Sequence, residues 1–349
     1  MEKTMAKKRM TKKERMRQRR RRQRMMFGGG LLLVAVVFTV ILLLLGSKGC
    51  GISKAEGDEV EAVPSAEATE APTVEPTPTP EPVPSVDISD INSRSGILVR
   101  LSDGKVVAEK DADAKIYPAS MTKIMTAIVA LEAFSDLDHE ITLSENIFYA
   151  LDGQDATQAG FQPGESVRVR DLVYGVMLPS GAECCLALAD EASGSEEAFV
   201  EKMNKKAKSI GMKDTHFMDC TGLHDPEHYS TAYDIALLLK YALHNDTFRE
   251  VAESHFHSTP ATNVHPDGIT YYSTMFKNMS DTSVTGGEIL GGKTGYTSEA
   301  GHCLASFAQI YGREYILVTA GAAADATGVP HILDAKTIYN RLGEAVAQK

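Results

Sequence analysis

The sequence lacks tryptophan altogether, and its five cysteines are scattered over 349 residues without a single Cys-x-x-Cys pair. This scarcity excludes a small fold held together by disulfides, and it excludes a zinc module built on paired cysteines. The chain also lacks a His-Glu-x-x-His segment and a carboxylate spacing typical of a metal site, so we expect no metal ion and no cofactor. Hydrophobic residues still make up 43% of the chain, which excludes wholesale disorder.

Positive charge is scarce after the first 26 residues. Residues 1–26 contain 13 Lys and Arg but only two acidic residues, Glu2 and Glu14, whereas the net charge of the whole chain is −11. The long remainder is therefore strongly acidic and would be repelled by phosphate groups. We expect no nucleic-acid partner, and we interpret residues 1–26 as a basic cytoplasmic tail that sets membrane topology.

Residues 27–46 are twenty consecutive residues without a charged side chain. A helix of this length spans ~30 Å, which matches the hydrocarbon core of a bilayer. We predict a single-pass anchor in the cell membrane, with the N-terminus in the cytoplasm and the domain that follows the anchor on the extracytoplasmic side. The alternative is a cleaved signal peptide, whose apolar region is usually ~7–15 residues long.

Residues 47–89 have the composition of a linker. Seven of the fourteen prolines lie between Pro64 and Pro84, and residues 51–90 contain ten acidic residues and one lysine. Polyproline II preference and charge repulsion favour an extended tether rather than a packed core. Residues 90–349 remain as a single domain, which is long enough to bury a large core.

Strand patterns occur at both ends of this domain, and helical patterns occur between them. Asp103-Gly104, flanked by apolar runs, is a strong signal for a β-hairpin. The predicted strands are residues 96–101, 105–109, 304–310 and 315–320, and the predicted helices are residues 120–134, 171–178, 183–192, 196–210, 232–244 and 331–347. This order implies one mixed α/β domain whose sheet is completed by its two ends.

The pattern Ser-x-x-Lys occurs twice, at Ser102 with Lys105 and at Ser120 with Lys123. The first spans the predicted hairpin turn, where nothing would bury the lysine, so we interpret it as a solvated surface turn. In the second, Pro118 precedes a helix, Ser120 lies in its first turn, and residues i and i+3 share a helix face. A neutral lysine there could take the serine proton, and the helix N-terminus would favour an oxyanion.

Lys293-Thr294-Gly295 occurs once, in the glycine-rich segment GGEILGGKTGYTSEAG. The glycines at positions 286, 287, 291 and 292 would let a ligand backbone approach a strand closely. Lys293 and Thr294 would offer a cation and a hydroxyl to a carboxylate, while the strand edge would pair with an extended peptide. The position of this motif, just before the two late strands, argues against a simple exposed turn.

Four segments, in this order and spacing, resemble the serine D-alanyl-D-alanine carboxypeptidases, the low-molecular-mass penicillin-binding proteins: YPASMTKIMTA, MLPSGAE, GLHDPEHYSTAYD and GGKTGYTSEAG. The similarity covers about residues 90–345. It implies a β-lactamase/transpeptidase-like fold, with an antiparallel sheet built from both ends of the domain and a helical subdomain between them. It also implies removal of the terminal D-Ala from peptidoglycan stem peptides that end in D-Ala-D-Ala, with β-lactams as inhibitors.

The same resemblance implies a role for each motif residue. Ser120 would be the nucleophile, Lys123 its activating base, and Ser180 the hydroxyl that helps to pass a proton to the leaving amine. The backbone N–H groups of Ser120 and Tyr296 would form the oxyanion hole. The residues that would bind the substrate belong to the late motif: Lys293 and Thr294 for its carboxylate, and Gly295 to leave room.

The middle motif departs from the family pattern. The usual Ser-x-Asn reads Ser180-Gly181-Ala182, so the amide that would bond the lysine and the substrate is missing. Ser144-Glu145-Asn146 does spell Ser-x-Asn, but it follows Ser120 closely, and we interpret it as a surface segment. Glu183 or a water molecule are the alternatives for replacing the amide, and its loss predicts slow turnover.

Two other functions stay open on the sequence. A β-lactamase needs a glutamate that positions water for deacylation, commonly in a Glu-x-x-x-Asn loop. No glutamate between Glu183 and Lys293 has an asparagine four residues later, which argues against this function. A non-catalytic peptidoglycan-binding protein of the same fold would keep the cleft without turnover, and Ala182 lends this alternative some weight.

The pairing of the domain's four cysteines is also open. They allow three full pairings, and they are Cys184, Cys185, Cys220 and Cys303. Cys184 and Cys185 lie in a predicted apolar helix, where we expect them to pack.

Overall fold

The computed structural model describes residues 83–348. The predicted basic tail, the predicted membrane anchor and most of the predicted linker lie outside the described residues. Within residues 83–348, no helix is both long enough and apolar enough to cross a membrane.

A six-stranded antiparallel sheet lies at the centre of the described residues. Ten strands occur among them: β1 (Ser95–Arg100), β2 (Val106–Lys110), β3 (Glu140–Thr142), β4 (Ser166–Arg168), β5 (Phe256–Ser258), β6 (Thr270–Tyr272), β7 (Ser283–Val284), β8 (Gly287–Thr297), β9 (Gly301–Ile310) and β10 (Arg313–Ala322). The order in the large sheet is β2-β1-β10-β9-β8-β7, and β3 with β4 and β5 with β6 form two small sheets. Because β1 pairs with β10, the predicted sheet built from both ends of the domain is confirmed.

Nine α-helices of residues 83–348 complete the fold. They are α1 (Lys123–Ala133), α2 (Glu145–Leu151), α3 (Val169–Met177), α4 (Ala182–Ser193), α5 (Glu196–Ser209), α6 (Ala232–Ala242), α7 (Asp246–Glu253), α8 (Thr274–Lys277) and α9 (Pro330–Ala347). Successive strand residues point to opposite faces of the sheet. Ile97 packs into the core that contains α1, α3 and α4, whereas Leu98 packs into the core beneath α9. The sheet is therefore covered on both faces.

The hairpin predicted at Asp103-Gly104 is also confirmed. Strands β1 and β2 pair antiparallel on either side of it. Gly104 has φ +72°, a left-handed conformation that glycine adopts without the steric cost of a Cβ. The Arg100 guanidinium donates to both carboxylate oxygens of Asp103, at 2.9 and 2.6 Å, which fixes the turn against β1.

The predicted helix over residues 120–134 is divided in the structure. Ala119–Thr122 forms a 3₁₀ turn, and α1 begins at Lys123. Ala119 has φ +47°, a left-handed conformation that an α-helix of L-residues cannot continue through. Ser120 follows Ala119 in the 3₁₀ turn, which runs directly into α1, so the turn that contains Ser120 is 3₁₀ rather than the predicted α-helical turn.

The packed part of the chain begins before residue 90, where the sequence places the start of the domain. Ile88 is 2% exposed and packs into the core beneath α9. One apolar residue does not change the composition of a Pro- and Glu-rich segment, so composition alone gives no sign that Ile88 packs.

The carboxylate of Asp334 in α9 holds the chain that leads into β1. One of its oxygens accepts hydrogen bonds from the backbone and side-chain nitrogens of Asn92, both at 2.9 Å. The other accepts from the backbone nitrogen of Ser93 at 2.8 Å and from its hydroxyl at 2.6 Å. Asp334 and Ser93 are buried, so the donors of Ser93 would have no water to replace the carboxylate.

We predict that Asp334→Ala lowers the free energy of unfolding by about 3–5 kcal/mol, because buried donors lose a charged acceptor. Urea denaturation followed by circular dichroism measures the change. Glu344→Ala is the matched control, since Glu344 is exposed on the same helix. It should change stability by less than about 0.5 kcal/mol. Equal effects of the two substitutions would contradict the role given to Asp334.

Candidate active site

The structure brings Ser120 and Lys123 together. Ser120 lies in the 3₁₀ turn, and Lys123 is the first residue of α1, so only two residues of tight turn lie between them. Lys123 Nζ lies 3.1 Å from Ser120 Oγ and 2.5 Å from the carbonyl oxygen of Thr221. The Lys123 side chain is buried, with 3% exposure, so its amino group has few contacts with water.

Residues 219–222 form a loop that contacts Lys123 and the turn of Ser120. The sequence analysis does not predict this loop. One carboxylate oxygen of Asp219 accepts from the backbone nitrogens of Thr221 and Gly222, both at 2.7 Å, and from the Thr221 hydroxyl at 2.8 Å. Gly222 has φ +82°, and a Cβ there would lie 1.9 Å from the carbonyl oxygen of Ala119. The segment Asp219-Cys220-Thr221-Gly222 begins with an aspartate and ends with a glycine, which is a turn signal that could have located this loop.

His228 links Asp219 to the turn that carries the nucleophile. Its ring lies 3.3 Å from the second oxygen of Asp219 and 2.8 Å from the hydroxyl of Thr122. Burial raises the pKa of Asp219, but the His228 charge and the hydrogen bonds from His228 and Thr221 outweigh it and lower the pKa to about 2. Asp219 is therefore a carboxylate at neutral pH, and the loop that presents the Thr221 carbonyl is fixed.

Lys293 lies on β8 and faces the same cleft. Its side chain is 1% exposed, and its ammonium donates to the carbonyl oxygen of Thr294 at 2.9 Å. Burial and the positive charge of Lys123 lower the pKa of Lys293 well below the usual range of a lysine. Among the described residues, no carboxylate forms an ion pair with either lysine. The cleft therefore favours a ligand that carries a negative charge.

Gly295 brings β8 close to the nucleophile. A Cβ at this position would lie 3.0 Å from the backbone nitrogen of Ser120 and 3.0 Å from the carbonyl oxygen of Pro118. The absence of a side chain therefore makes room for the turn itself. Tyr296, the next residue, carries a ring that is 56% exposed at the cleft end of β8.

The neighbouring glycines of β8 serve the protein's own backbone. A Cβ at Gly291 would lie 2.3 Å from the carbonyl oxygen of Ala252, and a Cβ at Gly292 would lie 2.4 Å from that of Ala305. The expectation that these glycines admit a ligand backbone is therefore corrected, because α7 and β9 already occupy the space.

Ser180 lies at the break between α3 and α4, as the sequence predicts. It is buried, and it has φ +68°, which is an unusual conformation for a residue with a side chain. Within residues 83–348, its hydroxyl has no hydrogen-bond partner. A buried hydroxyl without a partner is costly for a fold and is suited to bonding with a ligand or passing a proton.

Glu183 holds a neighbouring loop. One of its carboxylate oxygens accepts from the backbone nitrogens of Ala159 and Gly160, at 2.6 and 2.9 Å. Burial raises the pKa of this carboxyl. These contacts show that Glu183 holds the backbone of residues 159–160. Among the described residues, no hydrogen bond joins Glu183 to Lys123.

The remaining candidates lie on the surface or pack in the core. The residues of the two competing motifs are exposed: Ser102, Lys105, Ser144, Glu145 and Asn146. The four cysteines of residues 83–348 are buried with free thiols, so none of the three possible pairings is present. Cys184 and Cys185 pack within α4 as expected.

Comparison with protein families identifies the chain. A model of the peptidase S11 family, described as D-alanyl-D-alanine carboxypeptidase, matches residues 81–324. The chain belongs to this family. D-alanyl-D-alanine carboxypeptidase DacF of Bacillus subtilis is 33% identical over 246 residues, which are 66% of this chain and 58% of that protein. DacC of Escherichia coli is 38% identical over 172 residues, which are 46% of this chain and 42% of that protein.

The family fold is confirmed by a solved structure. The Streptomyces K15 DD-transpeptidase superposes with a TM-score of 0.65 at 28% identity, and the match covers 74% of this chain and 98% of that one. The predicted mixed α/β fold of the transpeptidase type is therefore confirmed for the described residues. The chain spans about half the length of the curated relatives DacF and DacC.

Proposed function

We propose that the protein is a serine D,D-carboxypeptidase that removes the terminal D-Ala from peptidoglycan stem peptides ending in D-Ala-D-Ala. The observation that carries the proposal is the 3.1 Å contact of Ser120 Oγ with Lys123 Nζ in a buried cleft. The cleft holds a second buried lysine, Lys293, and no carboxylate of the described residues forms an ion pair with either lysine. Such a site fits a peptide whose own C-terminal carboxylate supplies the negative charge.

Acylation begins with transfer of the Ser120 proton to neutral Lys123. A neutral amine has two N–H groups and one lone pair, and the Thr221 carbonyl takes one N–H, which leaves the lone pair available to accept the Ser120 proton. The serine oxygen then attacks the carbonyl carbon of the penultimate D-Ala. The backbone N–H groups of Ser120 and Tyr296 stabilise the resulting oxyanion.

Collapse of the tetrahedral intermediate releases D-Ala. The proton held by Lys123 passes through the Ser180 hydroxyl to the leaving nitrogen, while Lys293 and Thr294 hold the carboxylate of the departing residue. Water then attacks the acyl carbon while Lys123 takes its proton, and the second tetrahedral intermediate collapses with cleavage of the bond to Ser120 Oγ. Lys123 returns the proton to Ser120 Oγ, which regenerates the free enzyme and releases the shortened peptide. A β-lactam enters the same sequence but leaves a slowly hydrolysed adduct, so β-lactams act as inhibitors.

We predict that Ser120→Ala abolishes the covalent adduct with fluorescent penicillin, because the attacking oxygen is removed. Intact-protein mass spectrometry and gel fluorescence measure the adduct. Ser102→Ala is the matched control, since Ser102 begins the competing Ser-x-x-Lys pattern, and this variant should label like the wild type.

The same assay separates the other functions. Rapid decay of the wild-type label would indicate a β-lactamase. Absence of any wild-type label would indicate a non-catalytic binding protein, and either result would contradict the proposal.

The absent amide at position 182 generates a second prediction. Each hydrogen bond lost from a buried polar group costs ~1–3 kcal/mol, which corresponds to a rate loss of about ten- to a hundredfold. A strained β-lactam should tolerate this loss better than an unstrained peptide. We therefore expect penicillin acylation together with slow D-Ala release, and Ala182→Asn should speed peptide hydrolysis more than penicillin acylation.

Glu183→Gln is the comparison variant for Ala182→Asn. Glutamine keeps an oxygen that can accept from Ala159 and Gly160, so we expect peptide hydrolysis within about threefold of the wild type. Release of D-Ala from a D-Ala-D-Ala peptide measures both variants. No gain from asparagine, combined with a large loss from Glu183→Gln, would show that the carboxylate has taken over the role of the amide.

We also propose that residues 27–46 anchor the protein in the cell membrane, with the domain outside and the basic tail in the cytoplasm. Twenty uncharged residues after a basic block support the proposal. Protease added to intact spheroplasts should release the domain and leave residues 1–46 in the membrane fraction. A mature protein that begins near Cys50 would show instead that the segment is a cleaved signal peptide.

A further inference from the structure

The hydroxyl of Thr274 contacts the Lys293-Thr294-Gly295 motif, although Thr274 is not part of that motif. Thr274 is the first residue of the short helix α8, and its Oγ1 lies 2.8 Å from Oγ1 of Thr294. Its backbone nitrogen donates to the carbonyl oxygen of Leu178 at 3.0 Å, two residues before Ser180. Thr274 therefore joins β8 to the segment that presents Ser180, on the side of the cleft assigned to the substrate carboxylate.

The chain holds Thr274 in place from several directions. The backbone nitrogen of Ser273 donates to the carbonyl oxygen of His255 at 2.8 Å, and Asn278 Nδ2 donates to the carbonyl oxygen of Thr274 at 3.0 Å. Met275 and Phe276 are buried in the core beneath α9. The hydroxyl is consequently presented by a fixed backbone, which lowers the entropy cost of using it.

The pair of hydroxyls can present one directed hydrogen to a ligand. Each hydroxyl has one hydrogen and two lone pairs, and the contact between Thr274 and Thr294 uses one of the two hydrogens. When Thr274 donates, the Thr294 hydrogen is free to point at an anion beside Lys293. A carboxylate on Lys293 favours this arrangement, because the charged acceptor attracts the free hydrogen.

We propose that Thr274 is a positioning residue that directs the Thr294 hydroxyl towards the C-terminal carboxylate of the substrate. The inference rests on the proposed function and adds to it a residue that determines carboxylate specificity. Thr274 should therefore increase the reactivity of the protein towards ligands that carry a free carboxylate. A ligand whose carboxylate is esterified should gain little from Thr274.

The experiment compares penicillin with its carboxylate methyl ester as acylating probes of the full chain. Thr274→Val removes the hydroxyl and keeps the shape of the side chain, and Thr274→Ser keeps the hydroxyl. Thr270→Val is the matched control, because Thr270 lies on the adjoining β6 and its hydroxyl contacts Ser258 Oγ at 2.7 Å on the exposed surface. The second-order acylation rate constant and the thermal midpoint are measured for each variant.

Thr274→Val should lower the rate constant for penicillin about fivefold to tenfold and that for the ester less than twofold, because one oriented hydrogen bond to a carboxylate is weakened. Thr274→Ser should restore the preference for the free acid to within about twofold of the wild type. Thr270→Val should match the wild type with both probes. Thr294→Val should remove the same preference, and adding Thr274→Val to it should cost little more, because the two hydroxyls act as a unit.

Two failures are distinguishable. Wild-type protein that neither probe acylates would overturn the proposed function and this inference with it. Normal wild-type acylation, with equal losses for penicillin and ester in Thr274→Val or no loss for either, would overturn the role of Thr274 alone. If Thr274→Val lowers the thermal midpoint substantially, Thr274→Ser and the double variant decide the matter, and a lost acid preference in Thr274→Ser would likewise overturn it.

Discussion

The contact between β8 and the turn that carries Ser120 determines the geometry of the whole cleft. At Gly295 there is no room for a Cβ, since it would meet backbone atoms of Pro118 and Ser120. Lys293 and Thr294 precede Gly295 on the same strand, so this contact sets the distance from the nucleophile to the groups proposed to hold a carboxylate. Gly222 lies still closer to the same turn, since a Cβ there would be 1.9 Å from the carbonyl oxygen of Ala119. Three backbone segments thus meet without side chains between them, and none can move independently.

The electrostatic character of the cleft follows from what surrounds its two lysines. Lys123 and Lys293 are buried, and their hydrogen-bond acceptors include the backbone carbonyls of Thr221 and Thr294. Carbonyl dipoles satisfy N–H groups without cancelling a net charge, and two like charges in a region of low dielectric repel strongly. Burial and the charge of Lys123 accordingly lower the pKa of Lys293 well below the usual range of a lysine. A ligand carboxylate changes this balance, because it supplies the opposite charge that the protein omits.

Sequence patterns were sufficient for the parts of the site whose chemistry is local. Ser120 and Lys123 are three residues apart, so any tight turn brings them together, and Lys293 could be placed on a strand by its glycine-rich context. Thr221 and Thr274 escaped prediction because they reach the motifs across 98 and 20 residues, through contacts that no local spacing encodes. The apolar periodicity of residues 120–134 also hid the 3₁₀ turn, since periodicity records side-chain types and carries no information on the backbone angle of Ala119.

Backbone strain occurs at both proposed reactive hydroxyls. Of the four non-glycine residues with positive φ among those described, Ala119 directly precedes Ser120, and Ser180 is itself another. Such conformations cost of order 1–3 kcal/mol each and persist only where the surroundings leave no alternative. Ala119 is confined by Gly222 and Gly295, while Gly181 beside Ser180 is fixed by a 2.8 Å bond from its nitrogen to the Gly175 carbonyl. Packing energy from the rest of the fold thus holds the backbone at both serines in place before a substrate arrives.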